Sequence, residues 1–154
     1  MARPTKQEIL TALYNLSNPY EEDECIASLK EEKVIIRGPE HIQTSGYAYH
    51  VSVTVPNTKL WMEKLSTSLG VSFKGSRQDV NVSGDKIEFG LPVAISTVGN
   101  SLLDRLRDMN MMPNSIPLKT WESIQETKEY KAAEKEIARQ FAASDILAAL
   151  KLSC

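Results

Sequence analysis

The chain has 154 residues, 42% of them hydrophobic and 25% charged, and its 18 basic and 20 acidic side chains leave a formal net charge of −2. That composition excludes a disordered chain and a protein that coats nucleic acid through its overall field. Two cysteines, Cys25 and Cys154, with no CxxC spacing, exclude a disulfide framework and a cysteine zinc site.

The length matches one domain, and a chain of this size buries roughly 68–70% of its unfolded surface without help from a metal or disulfide. No apolar run approaches the roughly 18 residues of a membrane span, and Met1–Lys6 leads into polar Gln7 and Glu8 rather than an apolar signal region. The expectation is a cytoplasmic protein with reduced thiols and no membrane contact.

Thr5-Lys6-Gln7-Glu8 reads as a capping box that opens a helix, with Ile9, Leu10, Leu13 and Leu16 at helical spacing. Asn18-Pro19 reads as a second helix start, followed by Glu21, Glu22, Asp23 and Glu24 where the helix dipole favours negative charge. The two helices make an N-terminal hairpin. Lys33–Arg37 is a short strand, stopped by Gly38-Pro39. In the next strand Tyr47, Tyr49, Val51, Val53 and Val55 alternate with Ala48, His50, Ser52 and Thr54, the period of a half-buried strand.

Asn57 or Thr58 caps a helix carrying Leu60, Trp61, Leu65 and Leu69 to Gly70, and Val71-Ser72-Phe73 is extended again. Strand, helix and strand over 47–73 predict a βαβ-like unit. Residues 79–91 predict a hairpin around Ser83-Gly84-Asp85, with Pro92 marking an edge or a new segment. Gly99-Asn100-Ser101 opens a helix with Leu102, Leu103, Leu106 and Met109 inward. After a proline-flanked linker, Thr120 caps a long helix carrying Trp121, Ile124, Tyr130, Ala133, Ile137 and Phe141. Ser144-Asp145 is expected to break it and cap a last short helix with Ile146, Leu147 and Leu150.

The fold class is therefore α+β. A mixed or antiparallel sheet of about four to six strands contains one βαβ-like unit, with helices mainly on one face. Residues 1–154 form one domain, with a sheet core at 33–95 and a C-terminal helical segment at 99–152. The alternative is a separate helical lobe over 99–152.

Three kinds of site are legible. His50, beside Ser52 and Thr54 on the face opposite the valines, is the candidate general base of an enzyme. His41 sits in a turn with no ligand partner at metal spacing, the acidic run 21–24 lacks the glycine of a calcium loop, and no cofactor fingerprint is present. The loop Lys74-Gly75-Ser76-Arg77-Gln78 has the cations, glycine and donors to hold a phosphate, with Lys74, Ser76 and Arg77 as ligands. Arg37, Lys86, Arg105 and Arg107 would extend it into a patch, with Tyr47 and Tyr49 as stacking faces for nucleic acid.

The third site is an interaction surface. Trp121, Tyr130, Phe141, Ile146 and Leu150 line the apolar side of the C-terminal helices, opposite Lys128, Glu129, Lys131, Glu134, Lys135, Glu136 and Arg139 on a solvated side. Met109, Met111 and Met112 add adaptable apolar contacts. The apolar side packs on its own sheet, on a second copy or on a target. The leading expectation is a non-catalytic binding or regulatory protein, an inhibitor or adaptor, that contacts a protein partner or itself as a homodimer. A nucleotide, anion or nucleic-acid binder and an enzyme using His50 are the alternatives.

Overall fold

The computed structural model describes residues 3–17, 29, 31–37, 48–68, 80–111 and 115–150. Helix α1 (Lys6–Ser17) starts at the expected capping box: the Glu8 N–H donates to Thr5 Oγ1 and the Thr5 N–H donates to Glu8 Oε1, both at 3.1 Å. It buries Ile9, Ala12 and Leu13. The second helix of the expected hairpin lies outside the described residues, apart from Leu29 and Glu31, which are helical.

Strands β1 (Ile35–Arg37), β2 (Ala48–Pro56), β3 (Val80–Ser83) and β4 (Lys86–Ala94) form one antiparallel sheet in the order β1-β2-β4-β3. Because β2 and β3 each pair antiparallel with β4, they run parallel to one another with β4 between them. Helix α2 (Lys59–Ser68) lies in the connection from β2 towards β3. The 71–73 strand expected to complete a βαβ unit lies outside the described residues.

The period of two decides which face is buried. Tyr49, Val51, Val53 and Val55 of β2 stand opposite Val93, Leu91, Phe89 and Ile87 of β4, and all eight are buried. The alternate residues make the second face. Gly84 supplies the positive φ, +57°, needed at the first position of the two-residue turn joining β3 to β4. Pro92 lies inside β4 rather than at its end. It is tolerated because β3 pairs only with Lys86–Phe89, so the missing proline N–H falls beyond the described β3 ladder.

Helices α3 (Ile95–Asp108), α4 (Leu118–Gln125) and α5 (Lys128–Ala149) complete the described elements. Helix α5 lies against β1, β2 and β4 and against α1, α2, α3 and α4. The C-terminal helices thus pack on the sheet and share its core.

Three expectations are corrected here. Helix α3 begins at Ile95, directly after β4, and not at Gly99; a glycine inside a helix lowers its stability without forbidding it. The long helix expected from Thr120 is two helices, separated where Thr127 takes an extended conformation and its hydroxyl accepts the Tyr130 N–H. Ser144 and Asp145 do not break α5, because both are exposed while Ala142, Ala143, Ile146 and Leu147 stay buried on either side of them.

Candidate functional site

The second face of the sheet carries Ile35 and Arg37 from β1, His50, Ser52 and Thr54 from β2, and Lys86, Glu88 and Gly90 from β4. Ile35 is 47% exposed, and Arg37, Ser52, Lys86 and Glu88 are also exposed. No described helix covers this face. A sheet that is apolar on one side and mixed on the other is the usual consequence of packing helices on a single face.

His50 belongs to this open face, half-buried and opposite Pro92. Its ring lies against Gly90: a methyl placed there would sit 3.6 Å from His50 Nδ1. Ser52 pairs in register with Gly90, so His50 and Ser52 share the face as the alternation predicts. Tyr49 points the other way and is 1% exposed, so it offers no stacking surface to nucleic acid. Arg37 and Lys86 share the open face, whereas Arg105 of α3 donates to Gln140 Oε1 of α5 at 2.8 Å and Arg107 pairs with Asp104 at 3.4 Å. The four cations therefore do not form one patch. Lys74, Ser76 and Arg77 lie outside the described residues.

At one corner of the sheet is a groove of about 400 Å³. Ile35 and Pro56 give it apolar walls; Lys33, Lys86, Asp85, Thr54, Asn57 and Thr58 supply its polar groups, while Val55, which also borders it, is buried in the core. Each is placed by a local rule. The Val34 N–H donates to the Leu29 carbonyl at 2.9 Å, the six-to-one bond of a helix stop, and Lys33 takes the left-handed residue of that stop at φ +60°. Glycine is the residue this position favours, since a Cβ is disfavoured there. Buried Val34 and Leu29 close the stop on its apolar side.

Across the groove, the Asn57 N–H donates to the Asp85 carbonyl at 2.8 Å and Asn57 Nδ2 donates to the Gly84 carbonyl at 2.9 Å. These bonds fasten the β3–β4 turn to the end of β2. Thr58 caps α2 by accepting the Trp61 N–H at 3.2 Å, as its position predicts. Lys33 and Lys86 form no ion pair with a described residue. The alternation and turn chemistry place Lys86 and Thr58 in sequence; Lys33 is missed because it reads as the first residue of a strand rather than as a helix stop.

The C-terminal candidates pack at home. Tyr130 and Ile146 are buried, and Trp121, Phe141 and Leu150 are partly buried against the same core. Trp121 and Tyr130 meet edge to face, with centroids 5.7 Å apart and planes at 85°. Met111 packs against the core while Met109 is exposed.

Glu134 and Glu136 differ from expectation: both are buried rather than solvated. Glu136 is matched by Arg139, which donates to its two oxygens at 3.0 and 2.7 Å. Glu134 has no such partner among the described residues. Burial pushes its carboxyl up, opposed by Tyr49 and by the Lys131 charge. Burial also pushes the Tyr49 phenol well above its ordinary value, with Glu134 adding to the shift. The Tyr49 hydroxyl is fully buried and makes no hydrogen bond of good geometry. Burial raises Tyr130, partly offset by a hydrogen bond from Gln125.

Among the described residues, no group of three or more His, Cys, Asp or Glu side chains is placed to hold a metal ion, and no helix is long and apolar enough to cross a membrane. Comparisons with protein-family models, with curated proteins and with solved structures found no match to this chain.

Proposed function

We propose that this chain is a binding protein that acts through contacts with another protein, as an adaptor or inhibitor, and that the open face of its sheet is the contact surface. The observation that carries this reading is the exposure of Ile35 amid Arg37, Ser52, Thr54 and Glu88 on a face without a described helix. An apolar residue ringed by polar ones has the make-up of a small interface core and rim. β1 is a short strand at the sheet edge, a position where a partner's extended segment can add. The aromatic side of the C-terminal helices is spent on the chain's own core, which directs the partner to the sheet rather than to α5.

The partner is a different protein or a second copy, and one set of measurements separates them. Panning the full chain against a displayed random-peptide library is expected to enrich binders that the Ile35→Asp and Ser52→Arg variants no longer retain. Sedimentation velocity reads self-association, which the same substitutions should abolish. A wild-type chain that stays monomeric and enriches no peptide sensitive to these substitutions overturns the reading.

A further inference from the structure

We infer that the corner groove is a binding site for a small organic anion, a carboxylate or phosphate monoester carried on an apolar body. The groove shares Ile35, Thr54 and Lys86 with the open face, but its ligand is a small anion rather than a protein, and its test reads that ligand alone.

The groove has the two halves such a ligand needs. Its volume, about 400 Å³, lies near the lower end of the range for small-molecule sites, roughly 300–1,000 Å³. Ile35 and Pro56 form walls that a bare hydrated ion cannot use. Lys33 and Lys86 both line the groove, and neither forms an ion pair with a described carboxylate. Asp85 lies beside them, yet its side chain pairs with neither lysine. The Thr58 oxygen accepts the Trp61 N–H, which leaves its hydroxyl proton to donate. Thr54 adds a second hydroxyl from β2.

Lys33 supplies a further argument. It occupies a left-handed position that glycine would fill with less strain. Replacing it with glycine separates binding from folding, because the two should move in opposite directions.

The test is an amide-resolved NMR titration of the full chain with benzoate and with phenyl phosphate, alongside inorganic phosphate and neutral benzyl alcohol. Saturable shifts are expected at Ile35, Thr54, Val55, Asn57, Thr58 and Lys86 with at least one of the two organic anions, and whichever binds more tightly identifies the head group. Lys86→Met and Lys33→Gly should each weaken binding about fivefold, the range of an exposed ion pair, while Lys33→Gly leaves the melting temperature equal or higher. Asp85→Asn should tighten binding about twofold by removing a like charge. Shifts that do not saturate or that scatter away from the groove overturn the proposal. So does equal binding of benzyl alcohol, equal binding of inorganic phosphate, or indifference to both lysine substitutions.

Discussion

Tyr49 of β2 and Glu134 of α5 meet across the sheet–helix interface, with Tyr49 1% and Glu134 9% exposed. The groups that act on Glu134 are Tyr49 from the sheet and Lys131 from its own helix, and burial outweighs both. Its folded carboxyl therefore titrates above the unfolded value of 4.5. The stability this group allows is fully present below pH 4.5, where it is neutral in both states, and is lost as pH rises through the raised folded value.

Glu134→Gln should remove that loss. The variant is expected to melt at a higher temperature than the wild type at pH 7, with the difference closing as pH falls towards 4.5. Partial desolvation raises the Asp145 carboxyl too, although the residue is largely exposed, so some pH dependence of the same sign persists in the variant. Thermal unfolding across pH 4–8 measures this; a variant less stable than wild type at neutral pH would show that Glu134 is held ionised by a partner.

Tyr49→Phe tests the other side of the contact. The hydroxyl is buried without a hydrogen bond of good geometry, so its removal should leave stability unchanged or raise it by about 1 kcal/mol. A loss above about 1.5 kcal/mol in urea unfolding would instead indicate a genuine hydroxyl–carboxylate bond.

The home packing of the C-terminal residues predicts a contrast between two leucine-sized side chains. Ile146 is fully buried, and Ile146→Ala should cost about 2–5 kcal/mol through lost burial and a residual cavity. Leu118 is 70% exposed, and Leu118→Ala should stay within about 0.5 kcal/mol. Denaturant midpoints at constant slope read both.

Thr127 separates α4 from α5 and caps the latter at the Tyr130 N–H. Thr127→Ala should cost about 1 kcal/mol. Thr127→Ser keeps the hydroxyl and should recover most of that loss, measured by the same unfolding transition.

Local rules carried much of the fold. The Thr5–Glu8 box, the Thr58 cap, the Gly84 turn and the inward row from Tyr49 to Val55 each depend on neighbours within a few residues, and each appears as read. The misreadings on α5 have another origin. The spacing from Trp121 to Phe141 gives the helix one apolar side and places Glu134 and Glu136 in water. Ala138, Ala142 and Ala143 are buried as well as Ala133. They let neighbouring elements approach from several directions and carry the two carboxylates in with them. The groove escapes sequence reading for a related reason: Lys33, Pro56 and Asp85 come from separate segments that only the sheet register assembles.

The placement of α5 also governs the order in which this protein can mature during synthesis. α1 and the strands emerge from the ribosome before the helix that lies against them. Until α5 follows, Ile9, Leu13 and the inner row of β2 lack the surface that covers them, and the nascent chain must carry those apolar side chains uncovered. Covering those side chains waits for Lys128–Ala149, so a slowdown in translation before Lys128 would prolong the interval in which a chaperone is most needed.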